Sequence, residues 1–244
     1  MSQILRVLSI DFDVFALLPD TRYLTLYPDG IDLSTELSRI VWSSSYAHQR
    51  PDLDIHNITC NQEMLRDTLQ LIHSGCTTQT PVMLANSHIH IYDWIFQHFN
   101  KTKHTGIMLT HLDMHHDFFN ENPELDCGNW VSHVKDAVPK TKVEWVANPI
   151  TKKMYGLDNP QFAQVLTSVK DLKPRKFDLV FICRSDPWLP PHLDIDFENF
   201  KQELLHFFDH LRIENCVNEP REIESLVSQL QTAYTQMKQF AERK

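Results

Sequence analysis

Short apolar runs alternate with amphipathic segments along this chain. The apolar runs have the length of buried β-strands and occupy residues 4–10, 81–85, 105–112, 142–146 and 178–183. Between them, apolar positions recur at helical spacing in residues 34–47, 61–74, 91–99, 130–138, 160–169, 197–211 and 220–240. Strands that alternate with helices predict a three-layer α/β fold, with a mostly parallel sheet and helices on both faces. At this length we expect a single domain over residues 1–244.

Three of the predicted helices have a defined apolar face. Ser34 is a suitable N-cap for the first, whose predicted buried face holds Leu37, Ile40 and Val41. The helix at 61–74 stops at Gly75, and its predicted apolar face consists of Met64, Leu65, Leu69, Leu71 and Ile72. The last helix carries one stripe, consisting of Ile223, Leu226, Val227, Leu230, Met237 and Phe240. We interpret this stripe as core packing, with docking of a partner helix as the alternative, and we predict loops at residues 15–30 and 50–58.

Acidic and imidazole side chains follow four of the predicted strands. They are Asp11 and Asp13 after residues 4–10, His88 and His90 after 81–85, Asp113, His115 and Asp117 after 105–112, and Asp186 after 178–183. The carboxyl ends of parallel strands meet at one edge of a sheet, where ligands bind. If the backbone stays extended, Asp113, His115 and Asp117 also point to the same side.

This pattern predicts a metal site, because carboxylates and imidazoles packed together are unfavourable unless a cation neutralises them. Oxygen and imidazole donors without thiolates suit Mn, Fe or Zn. After residues 81–85 we favour His88 over His90, which lies two residues further along. The competing interpretation is a polar strand end, in which the histidine and aspartate side chains only hydrogen-bond to neighbouring loops or cap turns.

Composition narrows the function further. The net charge of −9 and the isoelectric point of about 5.8 argue against a nucleic-acid partner and are compatible with a cationic ligand. The 5 cysteines are scattered without a CxxC pair, as in reduced cytoplasmic proteins. No apolar run has membrane-spanning length, no export signal is evident and no glycine-rich phosphate loop is present. We therefore expect a cytoplasmic protein without a membrane partner.

Five short segments resemble motifs of the ureohydrolase (arginase/agmatinase) family, whose fold is shared with histone deacetylases. DMHHD at 113–117 is similar to that family's DAHxD, and SIDFD at 9–13 is similar to its SFDVD. NSH at 86–88 is similar to GDH, CGN at 127–129 is similar to SGN, and FICRSDP at 181–187 is similar to GLRDVDP. The SFDVD-like segment comes last in arginases and first here, so the resemblance implies a circularly permuted arginase-like fold. Within the family, the chain is most similar to the peptide arginases of cyanobacterial proteusin biosynthesis, which convert arginine residues of a precursor peptide to ornithine.

The resemblance implies two Mn²⁺ ions per chain. One ion would be bound by Asp11, His88, Asp113 and Asp117, and the other by Asp11, Asp13, Asp113 and His115. A hydroxide between the ions would attack the guanidinium carbon while Asp117 orients it, and the products would be urea and ornithine. The implied partner is a ribosomal precursor peptide, and self-association into a homo-oligomer is left open.

The match is incomplete where arginases shuttle protons and bind guanidinium. Val131 occupies the position of the proton-shuttling histidine, and His133 and His116 are the candidates to replace it. For the carboxylate that binds guanidinium, the candidates are Glu36 and Glu144.

Two further residues, Asn129 and Asp186, match segments that contact the α-groups of a free amino acid, and with a peptide substrate these contacts would be reused for backbone. Two alternatives to the peptide arginase remain open. The tract 112–117 also resembles the deacetylase DIDIHHGD, which would imply an amide hydrolase with a single zinc ion, although Asp13 and Asp117 favour two metals. The second alternative is a non-catalytic peptide-binding protein of the same fold.

Overall fold

The central feature of the structure, a computed structural model, is a seven-stranded parallel sheet. The structure describes residues 3–28, 32–48, 50, 52–101, 103–119, 122–155, 160–214 and 220–242. The strands are β1 (Gln3–Asp11), β2 (Ala16–Leu17), β3 (Thr59–Cys60), β4 (Val82–Ala85), β5 (His104–Asp113), β6 (Thr141–Ala147), β7 (Gln164–Leu166), β8 (Leu179–Cys183) and β9 (Leu211–Ile213). The sheet order is β7-β6-β5-β1-β8-β4-β9 with every pairing parallel, and β2 and β3 form a separate antiparallel pair.

Helices cover both faces of this sheet. They are α1 (Thr35–Ala47), α2 (Gln62–Gly75), α3 (His90–Phe99), α4 (Trp130–Ala137), α5 (Thr151–Tyr155), α6 (Asp194–Phe207) and α7 (Glu224–Glu242). Successive side chains of β1 alternate between two cores: Leu8 and Ile10 belong to one, with residues of α2 and α6, whereas Leu5 and Val7 belong to the other, with residues of α3 and α4. The predicted fold class is confirmed, and the architecture is consistent with a three-layer arginase-like fold.

The first strand of the chain lies in the middle of the sheet, between β5 and β8. Ile10 of β1 pairs with Leu112 of β5, so Asp11 and Asp113 each stand one residue beyond this pair, at the same edge. On the other side, Asp11 pairs with Cys183 at the end of β8, which in turn pairs with Ala85 at the end of β4. The four strands that precede the predicted ligands therefore end together.

Two predictions of secondary structure were wrong near the sheet edges. Residues 160–169 are not helical, because Gln164–Leu166 form the edge strand β7, in register with Glu144 to Val146 of β6. The helix predicted at 197–211 is α6, which ends at Phe207, and Leu211–Ile213 instead form β9 beside β4. In both cases the edge strand has only three residues and pairs with the backbone of the next strand inward, β6 or β4. So short a segment shows no clear periodicity.

The predicted face of α1 was also wrong. Ser34 caps the helix as expected, accepting a hydrogen bond from the amide of Leu37 at 3.4 Å. However, the Leu37 and Ile40 side chains are about half exposed, whereas Ser38 and Trp42 are fully buried. This side of α1 is buried because it makes polar contacts: the Ser38 hydroxyl and the Trp42 indole both donate hydrogen bonds to the main-chain carbonyl of Asp186, which follows β8.

The last helix buries only the start of its apolar stripe. Ile223, just before α7, is buried, and Val227 packs against the core. Met237 and Phe240 are 68% and 66% exposed, so the core-packing interpretation is wrong for the distal part of α7. Within the predicted loops, the structure has β2 and the 3₁₀ helices Thr21–Leu26 and Ile55–Asn57, and residues 29–31, 49 and 51 lie outside the described residues.

In the part of the chain that the structure describes, every helix is too short or too polar to cross a membrane.

Candidate metal centre

Six buried or nearly buried side chains meet at the carboxyl edge of β4, β1 and β5. We call them the strand-end cluster, and they are Asp11, Asp13, His88, Asp113, His115 and Asp117. His88, in the turn after β4, stands at their centre. Its Nδ1 lies 3.1 Å from Oδ2 of Asp11, 3.2 Å from Oδ2 of Asp113 and 3.2 Å from Oδ2 of Asp117. His90 is the first residue of α3, so His88 is the histidine that the fold brings into the cluster.

A second group of donor atoms adjoins the first. Nδ1 of His115 lies 3.0 Å from Oδ2 of Asp13 and 3.5 Å from Oδ1 of Asp113. Two sets of donor atoms are close enough to hold a metal ion: one from His88, His111 and Asp113, the other from Asp13, Asp113 and His115. Asp113 belongs to both sets and presents a different oxygen towards each histidine. The buried cluster could therefore hold a metal ion.

The chain reaches this geometry by tight turns, so the expectation of extended backbone was wrong. β5 ends at Asp113, whose Oδ1 accepts a hydrogen bond from the amide of His115 at 2.6 Å, and Asp117 adopts a φ of 50°. Asp13 likewise lies in the 3₁₀ helix Phe12–Phe15, capped by Asp11. The only other non-glycine residue with positive φ among the described residues is Ser185, and both line the same cavity. Such strain persists where the surrounding structure imposes it, most often at functional sites.

Several donor atoms of the strand-end cluster and of the neighbouring His111 have no hydrogen-bond partner among the described residues. They are Oδ2 of Asp13, Nδ1 of His88, both ring nitrogens of His111 and Oδ2 of Asp113. Nε2 of His88 is 2.8 Å from the Ser9 hydroxyl, so Nδ1 can direct its lone pair to a cation held between it and the three carboxylates. Buried polar atoms are nearly always satisfied in folded proteins, so unsatisfied atoms that converge on one point favour a bound cation.

The electrostatics agree with this interpretation. Burial, reinforced by the neighbouring carboxylates of Asp117 and Asp13, raises the pKa of Asp113 well above its usual range. Burial and Asp13 raise the pKa of Asp11 to about 6. Burial favours a neutral His115, but the Asp13 and Asp113 carboxylates outweigh it and raise the pKa of His115 well above its usual range. The cluster thus concentrates negative charge that protons or cations must offset.

Aromatic side chains contact the cluster and orient its residues. The Trp130 indole donates to Oδ2 of Asp117 at 2.6 Å, and the Trp145 indole donates to the main-chain carbonyl of Asp113 at 3.1 Å. The ring of His88 stacks on Phe181 of β8, with the ring centroids 5.5 Å apart. Partners of this kind fix the orientation of metal ligands.

A cavity of about 590 Å³ opens onto the cluster, a volume typical of small-ligand sites. Asp11, His88, His115 and Asp117 face into it. Its walls are mostly aromatic and apolar, with two further acids, and they include Tyr27, Asp32, Phe119, Asp126, Tyr155 and Trp188.

The predicted substrate residues are placed differently. Asn129 lines the cavity, but its side-chain oxygen accepts from the amide of Asp126 at 2.8 Å and its nitrogen donates to two main-chain carbonyls. Asp186 is fully buried, with its carboxylate paired to Arg184. Glu144 pairs with Arg175, and Glu36 lies exposed in the first turn of α1. Among the described residues, the cavity walls include Asn129 but not Asp186, Glu144 or Glu36.

Neither candidate for the proton shuttle is among the described residues that line the cavity. Nδ1 of His116 accepts a hydrogen bond from the amide of Phe118 at 3.0 Å, and its ring packs against Tyr155 and Phe162. His133 lies on α4, with its ring edge-on to Tyr92. Burial lowers the pKa of His116 to about 4.

The sequence analysis missed His111 and Trp130. His111 lies on β5 two residues before Asp113, and on an extended strand that spacing places both side chains on the same face. The signal was therefore present in the strand itself, whereas Trp130 could not be linked to Asp117 without the fold. Burial lowers the pKa of His111 to about 3, so its imidazole is neutral.

Comparisons with protein-family models, with curated proteins and with solved structures find no match for this chain.

Proposed function

We propose that this protein is a hydrolase that binds two Mn²⁺ ions and cleaves the guanidinium group of arginine residues in a precursor peptide. The observation that carries the proposal is the position of Asp113, whose two oxygens each approach a different histidine of the strand-end cluster. A carboxylate shared between two donor sets is the arrangement that a two-metal site requires. The resemblance of the strand-end motifs to ureohydrolases supplies the reaction class.

The residues of the cluster fit such a pair of ions. Asp11, His88, Asp113 and Asp117 would hold one ion, and Asp11, Asp13, Asp113 and His115 the other. When bound, the ions lower the pKa of a water molecule and offset the negative charge that develops during its attack. Oxygen and imidazole donors match Mn²⁺ and related divalent ions.

The protein's own side chains supply orientation. The Asp117 carboxylate faces the cavity through a backbone turn of positive φ, and the Trp130 indole fixes one of its oxygens. Asp117 therefore orients the attacking water, takes up one of its protons and passes that proton to the departing side-chain nitrogen. The water oxygen bonds to the guanidinium carbon, the bond from that carbon to the side-chain nitrogen breaks, and both protons of the water end on that nitrogen. The products are urea and the ornithine ammonium group.

Two observations support a peptidyl arginine as substrate. Asp32 and Asp126 add acidic groups to the walls, which favours a cationic side chain. Asn129 and Asp186, which match segments that contact the α-groups of free arginine, are both engaged within the protein. A substrate whose α-groups are already in peptide bonds does not need those contacts.

One observation favours a second candidate, a non-catalytic peptide-binding protein. His116 and His133 do not line the described part of the cavity, so neither is placed to return a proton to the leaving amine. Urea release separates the two candidates, because a binding protein forms no product.

The test is mass spectrometry of an arginine-containing peptide after incubation with the protein and Mn²⁺. We expect a mass loss of about 42 Da per converted arginine, the CN₂H₂ unit lost when hydrolysis leaves an amine, together with an equal amount of urea. The matched control is Asp52→Asn, an exposed aspartate outside the cavity, which keeps full activity. An unchanged peptide mass at saturating Mn²⁺ contradicts the proposal, and faster turnover of free arginine contradicts its peptide specificity.

A further inference from the structure

We propose that His111 binds the same metal ion as His88, so that one ion of the centre has two imidazole ligands and the other has one. This inference rests on the proposed function only in requiring that the strand-end cluster binds metal. It adds to the centre a ligand from within a strand, in addition to those at the strand ends.

The position of His111 fits a ligand. Its side chain is fully buried, and its Nε2 lies 3.3 Å from Oδ2 of Asp113 and 3.7 Å from Oδ2 of Asp117. Donor atoms of His88, His111 and Asp113 all lie within 4.8 Å of one another. Ligands that are each about 2.1 Å from one ion lie about 3 to 4.2 Å apart, so these separations suit a common ion after small adjustments.

A purely structural role leaves His111 unsatisfied. Neither ring nitrogen has a hydrogen-bond partner among the described residues. Its neighbours are aromatic faces: the Trp130 ring lies edge-on, 5.3 Å away, and the His88 ring 5.5 Å away. The Trp130 indole donates to Asp117, so it cannot serve His111. An imidazole buried without a partner is costly, and an ion between His111 and Asp113 removes that cost.

The consequence is a chemically asymmetric centre. Imidazole ligands suit Zn²⁺ and Fe²⁺, whereas carboxylate ligands suit Mn²⁺. The donor set with His88 and His111 should therefore take up a borderline ion such as Zn²⁺ first. The set with His115 and Asp13 should remain the weaker site for that ion.

The test counts imidazole ligands by X-ray absorption spectroscopy on protein loaded with one equivalent of Zn²⁺. We expect two imidazoles per zinc in the natural protein, two in His115→Asn, and one in His111→Asn. The affinity for this first Zn²⁺ should fall by more than about 100-fold in His111→Asn, beyond the loss typical of an outer hydrogen-bond partner. His206→Asn, an exposed histidine of α6, is the matched control and keeps two imidazoles.

The outcomes separate this inference from the proposed function. One imidazole per zinc in the natural protein overturns the role of His111, whether or not urea is formed and whether or not His111→Asn folds. Two imidazoles without urea release support His111 as a ligand and count against the hydrolase. If the natural protein binds neither Zn²⁺ nor Mn²⁺, both proposals fail.

Discussion

Two buried polar clusters lie beside β8, and they differ in whether they satisfy themselves. The charge-paired network consists of Arg184, Asp186, Asp194 and Arg221, all at most 6% exposed. Each arginine there is paired to an aspartate: Arg221 donates to both oxygens of Asp194, at 2.8 and 2.6 Å, and Arg184 to both oxygens of Asp186, at 2.5 and 3.0 Å. The strand-end cluster brings together four carboxylates, of Asp11, Asp13, Asp113 and Asp117, without a lysine or arginine paired to them among the described residues.

The difference distinguishes a cluster that stabilises the fold from a cluster that is a candidate functional site. Opposite charges that satisfy one another hold elements together, and here they join α6 and the segment before α7 to the turn after β8. Like charges that are buried together destabilise the folded state unless protons or cations bind to offset them. The same residue type, a buried aspartate, therefore has opposite roles in the two clusters, and substitutions can show it.

The largest contrast is expected from the same substitution made in each cluster. Asp113→Asn removes the shared ligand, so urea release should fall further than the about 100- to 1000-fold typical of losing one electrostatic contact. Metal-free Asp113→Asn should nevertheless unfold no more easily than the natural protein, because it loses a repelled charge. Peptide turnover measures the first effect, and urea denaturation of the metal-free protein measures the second.

Asp194→Asn should show the reverse. It leaves Arg221 buried without its counter-charge, which costs about 3 to 5 kcal/mol of unfolding free energy. The metal content per folded chain should not change. Asp209→Asn on the surface controls for the substitution itself. A normal stability of Asp194→Asn, or an unstable metal-free Asp113→Asn, would remove the distinction between the clusters.

Acidity should affect the stability of the metal-free and of the metal-loaded protein differently. Burial and Asp13 raise the pKa of Asp11 to about 6, so the folded state binds that proton more tightly than the unfolded state. The Asp11 carboxyl therefore contributes about 1 to 3 kcal/mol less to the free energy of unfolding of the metal-free protein at pH 7 than at pH 4. The raised pKa values of His88 and His115 act in the same direction as Asp11 at higher pH, whereas the lowered pKa values of His111 and His116 act in the opposite direction between pH 4 and 7.

With Mn²⁺ bound, stability should rise more steeply with pH than in the metal-free protein, because protons compete with the ion for its ligands. Thermal unfolding with a chelator and with Mn²⁺, at matched pH values, measures both trends. Parallel pH profiles under the two conditions would show that no ion replaces the protons of the cluster.

The smallest effect is expected behind the cluster. Trp130→Phe keeps an aromatic ring against His88 and His111 but loses the hydrogen bond to Asp117. We expect metal affinity or turnover to fall by about 10- to 100-fold. Trp94→Phe, which loses an indole bond to the carbonyl of Val180 on β8, is the control and should leave metal affinity unchanged.

The sequence predicted the ligands at strand ends because each follows a long apolar run. Residues 4–10 and 105–112 are continuous enough to mark β1 and β5, and the register of parallel strands then brings Asp11 beside Asp113. The edge strands β7 and β9 could not be predicted this way, since each has only three residues and a partly polar sequence. The faces of α1 and α7 also escaped prediction, since a helical period shows which residues share a face but not what that face meets.

The roles of buried aspartates were the hardest to predict. Asp186 and Asp113 both follow apolar strands, and only the fold shows that Arg184 pairs with the first, while no lysine or arginine among the described residues pairs with the second. The N-terminal aspartates Asp11 and Asp13 lie beside the mid-chain residues His88 and His115, where the pattern of strand ends predicted them. The residues that the resemblance suggested for guanidinium binding do not line the cavity: Glu144 is paired to Arg175, and Glu36 is exposed on α1.

The most direct test of the central claim is the metal content of the folded protein after equilibrium dialysis against Mn²⁺. If the strand-end cluster holds a pair of ions that share Asp113, the natural protein retains two Mn²⁺ per chain and Asp194→Asn retains as many per folded chain. Asp113→Asn then loses both. One ion per chain would support a single-metal site of the deacetylase kind, and none would show that protons alone balance the buried carboxylates.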